Sequence, residues 1–172
     1  MKHMFVFDPD KCCACSACMM GCLDQNDIDL TAGDQCFRKT YDNEVELGDG
    51  SVYCAYLSAA CMHCVDAPCV AACPVGCITK DPDTGFTTVD NTNCIGCKSC
   101  AMACPFGVPR FRPEDGKMVK CDGCNERVKA GLKPACVRAC PFGALTCIPE
   151  AEYAASGSDK ACNILINQIK KR

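Results

Sequence analysis

The most informative stretch of the chain reads Cys94-Ile-Gly-Cys97-Lys-Ser-Cys100-Ala-Met-Ala-Cys104-Pro105. Its spacing, C-x2-C-x2-C-x3-C-P, is one that binds [4Fe–4S] clusters. The first three thiolates can surround one cluster from a tight loop, in which Gly96 relieves backbone crowding. Cys104 lies one helical turn after Cys100 and points away, so we expect it to bind a second cluster, and Pro105 ends the helix. This stretch therefore predicts at least two clusters.

Three further cysteine motifs accompany this one. Motif I has the same spacing but carries Leu23 in place of the proline, so its helix is predicted to continue toward Asn26. Motif II has four residues before its third cysteine, and motif IV has eleven. The sixteen motif cysteines are Cys12, Cys15, Cys18 and Cys22 in motif I, Cys61, Cys64, Cys69 and Cys73 in motif II, Cys94, Cys97, Cys100 and Cys104 in motif III, and Cys121, Cys124, Cys136 and Cys140 in motif IV.

The cysteine content favours metal binding over disulfide bonds. The chain has 172 residues, which suggests one domain, and 22 of them are cysteine, above the roughly 8–10 % that marks a cysteine-built scaffold. A disulfide framework belongs to a secreted protein. We expect no export signal here, because the N-terminus lacks an apolar segment, a cleavage site and a twin arginine. Short C-x2-C loops are also strained as disulfides.

Composition excludes two classes of partner. No run approaches the roughly 18 apolar residues of a membrane span, so no direct membrane insertion is expected. No basic stripe with interleaved aromatic residues is present, so nucleic acid is not an expected partner.

The formal charge is −3, and four clusters contributing about −2 each would bring it to about −11. Apolar core residues other than cysteine are sparse, so folding is expected to depend on cluster insertion.

Short strands and short helices are predicted between the motifs, which indicates a loop-rich α+β fold. A helix is expected at 125–130 with Gly131 as its C-cap, and another at 159–170 that either packs on the surface or docks a partner. The hairpin from 36 to 57 is either a scaffold or a partner-binding surface. The predicted strands are 5–7, 36–41, 51–57, 78–80, 86–89, 108–112, 117–120 and 144–148.

Other kinds of metal site compete with clusters at some of these motifs. Zinc is an alternative for any C-x2-C pair, and for motif IV taken alone it remains open. Motifs I and III argue against zinc, because their spacing crowds the sulfurs. The spacings for radical S-adenosylmethionine chemistry and for covalent haem are absent. Six cysteines lie outside the motifs, and most of them are expected to be small buried hydrophobic residues: Cys13, Cys36, Cys54, Cys77, Cys147 and Cys162.

Three residues are candidates for tuning cluster potentials. His63 lies between two cysteines of motif II, where it could donate to a sulfur; a proton-relay role is the lesser alternative. Several cationic side chains surround motif IV, and positive charge raises a cluster's potential. Among them Lys120 and Arg138 are the two expected to matter.

The four motifs, in this order and with these spacings, resemble the electron-transfer subunit of the dimethyl sulfoxide reductase family of molybdopterin oxidoreductases. The resemblance covers roughly residues 5–148. It is nearest to the dimethyl sulfoxide reductase B type, since the C-terminal membrane helix or long insertions of formate dehydrogenase and nitrate reductase relatives are missing. Its signature phrases are Tyr56-Leu-Ser-Ala-Ala-Cys-Met-His-Cys64, Cys94-Ile-Gly-Cys97 through Pro109-Arg-Phe111, and Lys120-Cys-Asp-Gly-Cys-Asn-Glu-Arg127.

This resemblance implies two nested ferredoxin-like modules with two [4Fe–4S] clusters each. Residues 1–148 would form the four-cluster domain, with motifs I and IV (5–35 and 117–148) around motifs II and III (58–112), and 149–172 would be a helical tail. Nitrate reductases carry tryptophan and a three-iron cluster where this chain has Cys97, so four irons are expected here. The implied ligands are Cys12, Cys15, Cys18 and Cys140 for set 1; Cys121, Cys124, Cys136 and Cys22 for set 2; Cys61, Cys64, Cys69 and Cys104 for set 3; and Cys94, Cys97, Cys100 and Cys73 for set 4.

The expected function is electron transfer without a catalytic site. The chain has two histidines, no Gly-rich phosphate loop and no Ser-His or paired-carboxylate arrangement. The resemblance implies that motifs I and IV face a molybdopterin catalytic subunit and motifs II and III face the electron donor, often a quinol-oxidising membrane anchor, as in anaerobic respiration. The alternatives are a soluble polyferredoxin, a hydrogenase or formate-hydrogenlyase electron subunit, and a structural metal protein. The protein would be cytoplasmic, or exported folded with its partner, and peripheral to the membrane if anchored.

Overall fold

A computed structural model describes residues 1–155, which form short helices and strands linked by loops. The strands are β1 (His3–Phe7), β2 (Lys39–Glu46), β3 (Val52–Ala59), β4 (Ile78–Lys80), β5 (Thr87–Val89), β6 (Arg110–Phe111), β7 (Met118–Val119) and β8 (Leu145–Pro149). The helices are α1 (Ala17–Gln25), α2 (Pro68–Ala71), α3 (Ser99–Ala103), α4 (Asn125–Lys129), α5 (Ala135–Ala139) and α6 (Glu150–Ala155). The predicted α+β class agrees with this architecture.

The strands pair into two-stranded antiparallel sheets. Three sheets are local hairpins, β2–β3, β4–β5 and β6–β7, at the positions where the sequence predicted strands. The fourth sheet joins β1 to β8, with His3 opposite Pro149 and Phe7 opposite Leu145. This pairing brings the strand before motif I alongside the strand after motif IV.

Each motif places a helix in the same relation to its cysteines. Helices α1, α2, α3 and α5 all begin one residue before the third cysteine of their motif. Proline precedes or opens two of them, at Pro68 and Pro134, where its fixed φ suits a helix start. Helix α1 ends at Gln25 with Asn26 as its C-cap, as the missing proline of motif I predicted.

Helices α1 and α5 pack closely because α1 carries a glycine at the contact. A Cβ atom built on Gly21 would lie 2.9 Å from the Cβ of Ala139 and 3.3 Å from the carbonyl oxygen of Ala135. Both helices carry motif cysteines, so this close approach fixes the distance between motif I and motif IV.

Cysteines form a large part of the buried core of the described residues. One buried group contains Cys69, Cys77, Ile78, Cys100 and Met118. A second group contains Cys18, Cys136 and Leu145. The largest fully buried side chain is Phe86, which lies against Gly123 so closely that a Cβ there would be 2.5 Å from the ring. The expectation of a core poor in ordinary apolar residues therefore agrees with the structure.

The hairpin β2–β3 and the beginning of the tail lie at the periphery. Strand β2 is almost entirely exposed, whereas Ser58 at the inner end of β3 is buried. Helix α6 contacts β8, and the Glu150 N–H donates to the Lys2 carbonyl at 2.9 Å. The helix predicted at 159–170 and Cys162 lie outside the described residues.

Candidate iron–sulfur cluster sites

The backbone makes the same turn before the second cysteine of every motif. The residue at that position has a positive φ: 52° at Ala14, 46° at His63, 65° at Gly96 and 78° at Gly123. This conformation is costly for residues other than glycine, so its recurrence at Ala14 and His63 indicates a functional constraint. At motif IV the turned N–H of Gly123 donates to Cys121 Sγ at 3.4 Å.

A second turn follows the fourth cysteine of motifs II, III and IV, each of which continues Pro-x-Gly. The glycines have φ values of 67° at Gly76, 57° at Gly107 and 64° at Gly143. Burial raises the pKa of Cys73 and Cys140, but backbone N–H groups of 75–78 and 142–145 outweigh this effect and leave both pKa values lower than usual. These N–H groups therefore stabilise thiolates.

One hollow gathers cysteines from motifs I and IV. It encloses about 310 Å³, including space open to solvent, and its walls include the thiols of set 1. These are Cys12, Cys15, Cys18 and Cys140. The β1–β8 sheet contributes Phe7 and Leu145, while the inner end of the β2–β3 hairpin contributes Thr40 and Ser58. Ser58 Oγ lies 3.3 Å from Cys18 Sγ and accepts a hydrogen bond from buried Arg38 at 2.8 Å.

A second hollow gathers cysteines from motifs II and III. It encloses about 300 Å³ on the same measure, and its walls include the thiols of set 4. These are Cys73, Cys94, Cys97 and Cys100. Ile78, Phe111 and Met118 supply apolar walls, and Cys77 lies beside Cys73. Backbone N–H groups point at two of the sulfurs: Cys77 donates to Cys73 at 3.3 Å and Met118 to Cys94 at 3.4 Å.

In the other two sets, the proximity of the cysteines is visible in the way their thiols shift one another's pKa values. Burial raises the pKa of Cys22 to about 12, and the nearby Cys136 and Cys124 thiols add to the rise. Burial likewise raises the pKa of Cys69, with contributions from Cys61 and Cys104. Thiolates crowded in this way require positive charge, which iron would supply.

Cysteines of different proposed sets lie near one another at three places. Cys18 of set 1 and Cys136 of set 2 share one buried group, and Cys69 of set 3 and Cys100 of set 4 share the other. Sets 2 and 3 approach each other at Cys121 and Cys61, which interact electrostatically. These three proximities would give the proposed sets the order 1, 2, 3 and 4.

His63 lies at the boundary between sets 2 and 3. Its ring packs on Phe5 and Phe86, with centroids 5.8 and 4.8 Å away, and its Nε2 is 3.7 Å from Cys121 Sγ. Burial lowers the pKa of His63 well below its usual value, and the charges of Lys120, Lys80 and Arg38 lower it further.

The two cations predicted to tune the clusters lie in different environments, and two further cations lie among the cysteines. Lys120 is buried next to His63, whereas Arg138 is exposed in the last turn of α5. Lys80 and Arg38 also lie among the cysteines, and neither was predicted because no spacing in the sequence marks them.

The expectation that most cysteines outside the motifs are buried is wrong. Of the five such cysteines within residues 1–155, only Cys77 is buried, while Cys13 and Cys54 are exposed and Cys36 and Cys147 are half-buried. The reason is local: Cys13 lies in a tight loop between two motif cysteines, and Cys54 lies on a two-stranded hairpin with much of its surface in solvent.

The two hollows have the donor groups that iron–sulfur clusters use. Each brings four thiols together, and backbone N–H groups donate to two of the sulfurs in the second hollow. In the described part of the chain no three His, Cys, Asp or Glu side chains are grouped closely enough to hold one metal ion. Among these same residues no helix is both long and apolar enough to span a membrane.

Comparisons with known proteins agree with this chemistry. Residues 52–149, more than half of the chain, match the family described as a 4Fe-4S dicluster domain. The B subunit of anaerobic dimethyl sulfoxide reductase from Haemophilus influenzae is 39% identical over 156 residues, which cover 86% of this chain and 74% of that protein. The same subunit from Escherichia coli K12 is 38% identical over 167 residues, covering 93% and 80%.

A formate dehydrogenase iron-sulfur subunit from Haemophilus influenzae is 35% identical over 155 residues, covering 81% of this chain and 49% of that protein. The resemblance inferred from the motifs is thus confirmed. The chain therefore belongs to the 4Fe-4S dicluster domain family and is a relative of the B subunit of anaerobic dimethyl sulfoxide reductase.

Proposed function

We propose that this chain is an iron–sulfur electron-transfer subunit that relays single electrons through four [4Fe–4S] clusters. One end of the relay would face a molybdopterin catalytic subunit. The other end would face an electron donor or acceptor, such as a quinol-reactive membrane subunit. The chain itself would carry no catalytic site.

The observation that supports this proposal most is the exchange of fourth cysteines between motifs. Cys140 of motif IV lies in the hollow of motif I, and Cys73 of motif II lies in the hollow of motif III. Such an exchange is characteristic of paired clusters. It also agrees with two nested modules, formed by motifs I and IV and by motifs II and III.

The ligands would be the four sets already defined, and the clusters would supply one-electron redox chemistry when bound. The surrounding protein performs three tasks. Backbone N–H groups stabilise charge on the sulfurs, as they do at Cys73 and Cys140. Buried apolar side chains such as Met118 keep water out. The packed cysteines Cys18 and Cys136 keep neighbouring sets in contact. Hydrogen bonds and burial of this kind adjust cluster potentials.

The partners are proposed from the relatives, which are the B subunit of dimethyl sulfoxide reductase and iron-sulfur subunits of formate dehydrogenase. The two terminal hollows carry exposed apolar side chains that suit protein contacts. Phe142 beside set 1 is 57% exposed and Ile95 beside set 4 is 64% exposed. We assign the set 1 end to the catalytic subunit and the set 4 end to the donor, which would be a membrane anchor.

Anaerobic co-purification tests the proposal against a free-standing polyferredoxin and a hydrogenase-type subunit. The tagged chain, expressed with its neighbouring genes, should retain a large subunit that contains molybdopterin. It should carry roughly 16 iron per chain, the content of four four-iron clusters. Isolation as a monomer without a large subunit, or with a nickel protein, would favour one of the alternatives. Zinc in place of iron would exclude electron transfer altogether.

A further inference from the structure

The boundary between sets 2 and 3 contains a buried ammonium group that lacks a carboxylate. Lys120 is only 4% exposed, and its Nζ donates to the carbonyl oxygens of Thr87 and of Cys121, the latter at 2.8 Å. Lys120 forms no ion pair with any residue of 1–155. Since burying an unpaired charge is costly, an ammonium held by carbonyls alone requires a negative group nearby.

A second ammonium group shares this environment. Lys80 Nζ donates to the carbonyl oxygens of Cys64 at 2.7 Å and of His63 at 3.1 Å. It also lacks an ion-pair partner among the described residues. The two ammonium groups repel each other, which makes an additional source of negative charge more necessary.

Cysteine sulfurs are the anionic groups in range of these ammonium groups. Lys80 interacts electrostatically with Cys61, Cys64 and Cys69 of set 3, and Lys120 interacts with Cys69. Lys120 reaches set 2 through its hydrogen bond to the Cys121 carbonyl oxygen, and Arg38 is a further cation that acts on Cys121 and Cys22 of that set. A [4Fe–4S] cluster with four thiolates carries a net negative charge, about −2 in its oxidised form and more when reduced. The clusters themselves would therefore provide the missing counter-charge.

His63 links the same two sets by hydrogen bonds. The Thr87 N–H donates to His63 Nδ1 at 3.0 Å, and because a ring nitrogen that accepts a hydrogen bond carries no proton, the N–H of the ring is on Nε2. That nitrogen lies 3.7 Å from Cys121 Sγ. A residue of the motif II loop thus donates to a sulfur of motif IV, and stacking on Phe5 and Phe86 keeps the ring in place.

We propose that Lys120 is the shared counter-charge of sets 2 and 3, and that His63 is the positioning residue that joins them. Together they would raise the potentials of the two central clusters and form the junction where an electron passes between the two halves of the molecule. Positive charge and N–H donors stabilise the more negative, reduced state. This inference rests on the proposed function.

The test compares two substitutions at one position in the full-length holoprotein, by redox titration followed with EPR. Lys120→Met keeps a long unbranched side chain and removes the charge, whereas Lys120→Arg keeps the charge. In Lys120→Met, two of the four one-electron transitions should move. Their reduced-to-oxidised ratio at a fixed potential should fall at least tenfold, equivalent to about 59 mV. Lys120→Arg should stay near wild type.

Two further variants complete the experiment. Lys133→Met is the matched control, because Lys133 is exposed and lies in the loop of motif IV, and it should leave all four transitions unchanged. His63→Phe keeps the aromatic packing but removes the donor to Cys121. It should lower one of the two transitions that Lys120→Met moves and leave the terminal ones in place.

Each outcome decides the proposal. Unchanged transitions in Lys120→Met would overturn it, as would an equal drop in Lys120→Met and Lys120→Arg. Loss of about half the iron in Lys120→Met alone, with a full complement in Lys120→Arg, would support it, because charge would then be needed to hold two clusters. Loss of all iron in both variants would show that Lys120 is needed for folding and would overturn the proposal. A wild-type protein without four reducible clusters would instead contradict the proposed function.

Discussion

At the residue scale, four equivalent positions show what the cluster loops demand of the backbone. Ala14, His63, Gly96 and Gly123 all adopt positive φ, although only two of them are glycine. The sequence marks the glycines as turn residues, but nothing in the residue types of Ala14 and His63 predicts this conformation. We attribute the positive φ at these two residues to the tight turn that the loop makes between neighbouring cysteines, which outweighs the backbone strain.

Substituting Gly96 tests this demand. Gly96→Ala adds a methyl group at φ 65°, and its Cβ would lie 2.9 Å from the Gly116 carbonyl oxygen. The strain of the left-handed conformation alone costs about 1–2 kcal/mol. We expect a lower thermal midpoint and the loss of about a quarter of the iron, that of set 4. The control is Ala14→Gly at the matching position of motif I, which should retain full iron content. Equal iron in both variants and wild type would contradict the assignment.

Cys97 carries a second residue-scale prediction. If Cys97 is a ligand of set 4, Cys97→Ser should convert one cluster to a [3Fe–4S] form, because a hydroxyl is a poor substitute for a thiolate on iron. The oxidised variant should then show a new EPR signal. Cys54→Ser is the control, since Cys54 is exposed and outside the motifs. An unchanged spectrum in Cys97→Ser would refute the ligand assignment.

At the element scale, the sequence predicted local structure well and long-range pairing poorly. The strand at Ile78–Lys80 and the hairpins around it agree with the pattern of strand residues and turns. The β2–β3 hairpin extends to Glu46 and Ala59, beyond the predicted ends, because its polar residues carry no alternating pattern. The β1–β8 pair joins the two ends of the described region, and only the resemblance, not the residues, implied that motifs I and IV belong together.

The contact between α1 and α5 gives a prediction at this scale. Gly21→Ala would place a methyl group 2.9 Å from the Ala139 Cβ and push the two helices apart. The better helix propensity of alanine, worth about 1 kcal/mol, favours the variant, so any loss must come from the clash. We expect reduced iron in sets 1 and 2 and a lower thermal midpoint. Gly48→Ala, with no atom near its added Cβ, should match wild type. A Gly21→Ala protein as stable as wild type would contradict the close packing.

A polar network joins the β4–β5 hairpin to α4. Asp81, next to β4, pairs with Lys129 at 2.6 Å and accepts from Asn125 at 3.0 Å. Burial opposes the charge on Asp81, but these bonds and those from Thr84 outweigh it and hold the pKa of its carboxyl well below the usual value. A depressed pKa stabilises the fold above the unfolded pKa near 4, so this contribution is complete at pH 7 and is lost only in acid.

The prediction for this network is a double-mutant cycle at pH 7. Asp81→Asn should lower the free energy of unfolding by about 1–3 kcal/mol, since it removes the acceptor of charged hydrogen bonds. Lys129→Met should cost less, because Lys129 is partly exposed. The coupling between the two, measured by denaturant unfolding, should be about 1 kcal/mol. Additive effects would show that the pair does not join the hairpin to α4.

At the scale of the whole molecule, cysteines of different proposed sets share the buried core, with Cys18 and Cys136 in one group and Cys69 and Cys100 in another. Spacing alone predicts which sixteen cysteines would be ligands, because each motif fixes the positions of its sulfurs within a few residues. It did not predict that Lys120 would be buried with Lys80 beside it, since charged residues near a motif are usually solvated. The burial of Lys120 depends on how the two halves meet, which no local pattern encodes.

The proposed function requires four clusters that relay single electrons through this protein. Its most direct test is a reductive titration of the anaerobically purified holoprotein, combined with iron and sulfide analysis of the same sample. We expect roughly 16 iron and 16 sulfide per chain and the uptake of four electrons, one per cluster. A protein with about half this iron and sulfide that takes up only two electrons would contradict the four-cluster relay. A protein that binds zinc and takes up no electrons would contradict it as well.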